Sequence, residues 1–148
     1  MVWFKLVGTS EEPVPPEWAA ERPDLYREIR FPWNKPPRGL SNGERIIVYA
    51  VGSRVLIASQ TVDGPPRLMP RRGPVGSPQN RWPHSISVKT DFYCSPLSSA
   101  PALRDVAPDF ARRYASRFRD GSHWRIEENE YNLLAAAIRA SGRPFATS

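Results

Sequence analysis

The chain of 148 residues has the length of one ordinary domain, and its 40% hydrophobic and 11% aromatic content supports a packed core. Seventeen prolines argue against a long helical bundle, the single cysteine Cys94 excludes an internal disulfide, and no stretch approaches the ~20 apolar residues of a membrane span. The net charge of +6 is lopsided: residues 1–66 balance eight Lys/Arg with eight Asp/Glu, whereas residues 67–148 carry thirteen against seven, so the basic excess sits in the second half.

Val2 to Val7 reads as an opening strand that puts Trp3 and Phe4 on opposite faces, closed by the turn formers Gly8, Thr9 and Ser10. Met1 to Leu6 is too short and too mixed for a secretory leader, so a cytoplasmic protein without a membrane partner is expected. Pro13 to Pro37 holds Trp18 and Trp33 among many prolines and reads as a crossover with helical patches at Glu17 to Ala20 and Leu25 to Ile29. Arg45 to Val51 and Arg54 to Val62 are two β-rich runs joined by Gly52-Ser53, the composition of a type II′ hairpin.

Asp63 to Asn80 has no period and is rich in Pro, Gly and Arg, which predicts a long exposed loop. Trp82 to Tyr93 returns to strand, with Ile86, Val88 and Phe92 on one face and Ser87, Lys89 and Asp91 on the other. The run Arg81-Trp82-Pro83-His84 therefore stands at the mouth of a strand, inside the most basic stretch of the chain. From Arg67 to Lys89 there are five cations and no acid. Eighteen of the 21 basic residues are Arg, the side chain that grips phosphate in a bidentate fork and stacks on bases.

Asp109 to Phe118 places Phe110, Ala111, Tyr114, Ala115 and Phe118 on one helical stripe, leaving Arg112, Arg113, Arg117 and Arg119 on a solvated or ion-paired flank. Ser122 to Ile126 is extended. A last helix runs from Glu127 to about Ala140, with Tyr131, Leu134, Ala135 and Ile138 as its stripe, acids in its first turn against the helix dipole, and Gly142 as its stop. This order of elements predicts a single α+β domain over residues 1–148, a small mixed β-barrel with flanking helices.

Five pieces in chain order carry a family resemblance: Trp3-Phe4-Lys5-Leu6-Val7, the pair Trp33-Asn34, Gly43-Glu44-Arg45-Ile46-Ile47-Val48-Tyr49, Arg81-Trp82-Pro83, and Gly121-Ser122 with Arg125-Ile126-Glu127-Glu128. Together the chain resembles the EVE domain, a PUA-like β-barrel related to YTH readers. The long Asp63 to Asn80 loop and the Pro-rich crossover depart from that pattern. The resemblance implies an aromatic pocket for a flipped-out, often modified base, and no cofactor.

On that expectation Trp33, Asn34, Tyr49, Trp82 and His84 form the base-binding set, because a flipped base needs ring faces to stack on and polar groups at its edge. The competing reading is that these aromatics are ordinary packing. Arg67, Arg71, Arg72 and Arg81 are the candidates to neutralise phosphates, against the reading of a solvated charged loop. Catalysis and metal binding lack motifs: Cys94, His84 and His123 have neither an acid at a motif spacing nor paired ligand spacing, and no Gly-rich loop ends in Lys-Ser/Thr. The expected function is non-catalytic binding of DNA or RNA with readout of one base. The alternatives are a sensor or enzyme taking a nucleoside-sized ligand in the same pocket, and an interaction module whose basic loop docks an acidic partner.

Overall fold

The computed structural model describes residues 1–8, 26–70, 82–119 and 122–145. Its strands are β1 (Val2–Val7), β2 (Glu28–Phe31), β3 (Arg45–Ala50), β4 (Val55–Val62), β5 (Arg67–Leu68), β6 (His84–Tyr93), β7 (His123–Ile126) and β8 (Arg143–Pro144). The helices are α1 (Leu103–Val106), α2 (Pro108–Arg113) and α3 (Glu128–Ser141). The fold is α+β, as expected.

The main path of the sheet is β2-β6-β4-β3-β1-β7, with β5 and β8 both pairing β6. β1 runs parallel to β3, and the other ladders are antiparallel. Although β2 and β7 end this path, Phe31 of β2 meets His123 of β7 edge to face with ring centroids 5.0 Å apart. The sheet is therefore strongly curled, and its two ends approach one another.

Alternation along the strands splits the apolar residues between two cores. Trp3, Ile29, Phe31, Ile46, Val48, Ile57 and Ile86 face the concave interior. Phe4, Leu6, Ile47, Leu56 and Trp124 face the other side, where Leu103, Phe110, Leu134 and Ile138 of the helices cover them. Full burial of such side chains contributes about 1.5–3 kcal/mol each. α3 opens with a capping box in which Glu127 and Glu130 satisfy each other's backbone N–H groups. Gly142 closes it against β6, where an added Cβ would lie 2.4 Å from the Tyr93 carbonyl oxygen.

Several local expectations change in the structure. The helical patch expected over Leu25 to Ile29 is strand from Glu28 onward, because Ile29 and Phe31 fill the interior through the β2–β6 ladder. The patch at Glu17 to Ala20 lies outside the described residues. The hairpin turn is longer than two residues: Arg54 N donates to the Ala50 carbonyl at 3.0 Å, with positive φ at Gly52 (94°) and Arg54 (61°). A bulge at Asp91, where Ser59 faces Phe92 and Gln60 faces Thr90, moves Phe92 to the helix side, away from the face shared by Ile86 and Val88. The Asp63 to Asn80 stretch contains β5, and residues 71–81 lie outside the described residues. The helix expected to run to Phe118 ends at Arg113 and passes into a 3₁₀ turn at Ala115–Arg117, as Tyr114 docks on α3 through a 2.8 Å hydrogen bond to Glu130.

Candidate functional site

The β2–β6 ladder ends at Phe31 opposite His84, so two residues beyond the pair stand Trp33 on one chain segment and Trp82 on the other. Both backbones are pinned there. His84 Nε2 donates to the Trp33 carbonyl at 3.2 Å, and Arg30 Nε donates to the Trp82 carbonyl at 2.8 Å. Held this way, the Trp33 side chain is 71% exposed, a high value for an indole, and Trp82 is half-buried. Asn34 is exposed beside Trp33.

Behind this aromatic pair the interior wall is polar. Lys5 lies on the Trp3 face of β1 and is fully buried; its ammonium donates to the Leu6 carbonyl at 2.7 Å. The ammonium sits 4.7 Å from the Phe31 ring centroid and 5.4 Å from that of Trp82. In the β1–β7 ladder the residue opposite Lys5 is His123, whose ring packs against Phe31 and, at 5.8 Å, against Trp3. Lys35, in the segment leaving β2, donates to Ser122 Oγ at 3.2 Å.

Burial, then the nearby Lys35, lowers the Lys5 pKa to about 7. Burial, followed by Lys5 and Lys35, lowers that of His123 to about 4, which keeps its imidazole neutral near pH 7. His123 Nδ1 is buried and has no hydrogen-bond partner among the described residues. One end of the curled sheet thus joins the Trp82 ring and the exposed Trp33 to the amino groups of Lys5 and Lys35 and a neutral imidazole. That combination suits a flat, electron-rich ligand that stacks and offers acceptor atoms.

The structure brings together Trp33, Asn34, Trp82 and His84 and sets Tyr49 apart. Tyr49 is buried on the helix-covered face of β3, with its ring 5.6 Å from Phe4 and 5.3 Å from Phe118. Of the phosphate candidates, Arg67 stands exposed on β5 opposite Ser85, one pair from His84, with its guanidinium 3.2 Å from Ser87 Oγ. Arg71, Arg72 and Arg81 lie outside the described residues. Arg112 pairs with Asp109, and Arg113 with Glu127 and Glu130, an ion-paired flank.

Lys5, Phe31, Lys35 and His123 were not among the expected residues. A signal was present for Lys5, since a lysine inside Val-Trp-Phe-Lys-Leu-Val must share the inward face of Trp3 if Phe4 and Leu6 share the other. Cys94 is buried, with its thiol pKa pushed up to about 11 by burial, so it is a poor nucleophile. Among the described residues no cluster of three His, Cys, Asp or Glu side chains is placed to hold a metal ion, and no helix is long and apolar enough to cross a membrane.

No protein-family model and no curated protein matches the chain. Among solved structures it is similar to the NMR structure of Rpa0253 from Rhodopseudomonas palustris, a structural-genomics target, with a TM-score of 0.49 and 13% identity over 93% of this chain and 92% of that one.

Proposed function

We propose that the chain is a non-catalytic nucleic-acid-binding domain of PUA-like architecture, similar to the EVE domain, that reads a modified or flipped-out base between Trp33 and Trp82. The observation that carries this reading is the pinning of both indole-bearing segments at one strand-pair end, beside buried Lys5 and half-buried His123. An extruded base stacks on the indoles, and its edge meets the ammonium and imidazole groups behind them. Arg67 lies alongside on β5 to neutralise a backbone phosphate, and Arg71, Arg72 and Arg81 are proposed from the sequence for the same task. A base is read here by stacking and hydrogen bonds alone, so no cofactor is called for.

The test is fluorescence anisotropy of labelled DNA and RNA oligonucleotides, with and without a modified base, over a range of salt concentrations. The expected result is affinity that falls with salt and depends on the modification. Salt-insensitive saturation by the free nucleoside, with no retention of oligonucleotide, would replace this reading with that of a small-molecule sensor.

A further inference from the structure

On the helix-covered face, away from the aromatic mouth, a groove of about 460 Å³ opens between the β3–β4 turn and α1 and α2. Its volume lies in the ~300–1,000 Å³ range of small-molecule sites. The floor is apolar, made by Leu6, Leu103 and Phe118, and the small Ala111 and Ala115 leave it open.

The rim is cationic. Arg54 and Arg104 line the groove, are exposed, and have no carboxylate partner among the described residues. Arg112 and Arg113 on the neighbouring helix, by contrast, both have one. Arg54 is fixed in place at a positive φ of 61° by its N–H bond to the Ala50 carbonyl, while its own carbonyl accepts from Leu103 N at 3.2 Å. Its backbone is thereby tied to the start of α1, next to Arg104.

Tyr49 also lines the groove, and both guanidinium groups act on its phenol, pulling its pKa down against the larger upward push of burial. The phenol stays a protonated donor near pH 7, at the same end as the two arginines. Arg54, Arg104 and Tyr49 therefore line one groove with an apolar floor.

We propose that this groove is a second ligand site, independent of the base-reading mouth, for a small apolar carboxylate. The alkyl or aryl body lies along Leu6, Leu103 and Phe118, and the carboxylate is gripped by Arg54 and Arg104 with the Tyr49 hydroxyl donating to it.

The probe is 4-phenylbutyrate, compared with the matching alcohol 4-phenylbutanol, in a titration followed by amide chemical shifts. The acid should saturate, with shifts centred on Gly52, Ala111, Ala115 and Phe118, and the alcohol should bind at least tenfold more weakly. The combined variant Arg54→Gly with Arg104→Gln should lose at least tenfold in affinity at an unchanged melting temperature, since glycine takes the positive φ freely. Ala115→Leu, which fills the trough and keeps both arginines, should also weaken the acid. Equal binding of acid and alcohol, no saturation, or undiminished binding by the folded double variant would overturn the proposal.

Discussion

The two faces of the sheet are built from the same strands by the same alternation, yet they carry different chemistry. Beneath the helices the covered face is an apolar layer, with Phe4, Leu6, Trp124, Leu134 and Ile138 nearly or wholly buried, and Arg54 and Arg104 stand at its rim beside the β3–β4 turn. The concave face begins the same way, with Trp3, Ile46 and Ile57, but toward the β2 and β7 ends it accepts Lys5 and His123 and leaves Trp33 in solvent. Burying an ammonium group costs free energy that an apolar residue of similar size avoids. A fold optimised for stability alone would carry Leu or Met at position 5. The contrast separates a face whose buried layer holds the domain together from one that carries a buried lysine at a cost in stability, the trade that the proposed base-binding role would explain.

The sharpest break between the faces is expected at Lys5. Its folded pKa of about 7 lies below its ordinary 10.5, so between those values the unfolded chain binds more protons than the native one. Stability from this group must then rise with pH across that window, the burial penalty being fully present below about 7. At about 1.4 kcal/mol per pKa unit this amounts to several kcal/mol. Lys5→Met removes the penalty, so urea unfolding should find the variant the more stable protein near pH 6, with the gap closing by several kcal/mol toward pH 10, and should find oligonucleotide binding weakened. A gap independent of pH would place a charge-tolerant, hydrated environment around Lys5. His123 acts in the same direction at lower pH: its pKa of about 4 against 6.5 makes wild-type stability rise as pH rises from about 4 to 6.5, and His123→Phe should flatten that limb.

On the helix-covered face, Leu134→Ala should cost about 2–5 kcal/mol of folding free energy, read from chemical denaturation, with no change in affinity per folded molecule. Trp82→Ala reverses that pattern. It should remove a stack worth ~1–3 kcal/mol of binding and relax discrimination between modified and plain bases, which titrations with the two oligonucleotides would measure. If Trp82→Ala instead unfolds the domain and leaves affinity per folded molecule intact, Trp82 belongs to the scaffold. The smallest effect is expected at Arg67→Ala: a decrease of about one in the slope of log affinity against log salt, without a change in melting temperature.

Much of the scaffold was legible because strand alternation and helix stripes record burial directly. β1, the β3–β4 hairpin, β6 and the Tyr131, Leu134, Ile138 stripe of α3 all followed from periodicity. β2 was missed because four residues in a Pro-rich segment carry too short a pattern; its strand state comes from pairing with β6, a partner more than fifty residues away. Phe92 was put on the wrong face because one bulged residue, Asp91, reverses alternation and leaves no compositional mark. Of the candidate site, the residues that lie on single segments, Trp33, Trp82 and His84, could be named from the sequence, and the structure places them at one end of the β2–β6 ladder. Lys5 and His123 escaped because their meaning depends on facing one another across the β1–β7 ladder, and Tyr49 was grouped with Trp33 and Trp82 because an aromatic in a strand reads the same on either face.

The most direct test of the base-reading mouth is the set of indole N–H resonances during titration with an oligonucleotide carrying a modified base. Trp33 and Trp82 sit at the mouth and Trp124 in the helix-covered core, so one spectrum reports both faces at once. The predicted result is saturable shifts of the Trp33 and Trp82 signals, accompanied by the His123 ring, while Trp124 stays still. Shifts at Trp124 with silent Trp33 and Trp82, or no saturation at either face, would contradict the account.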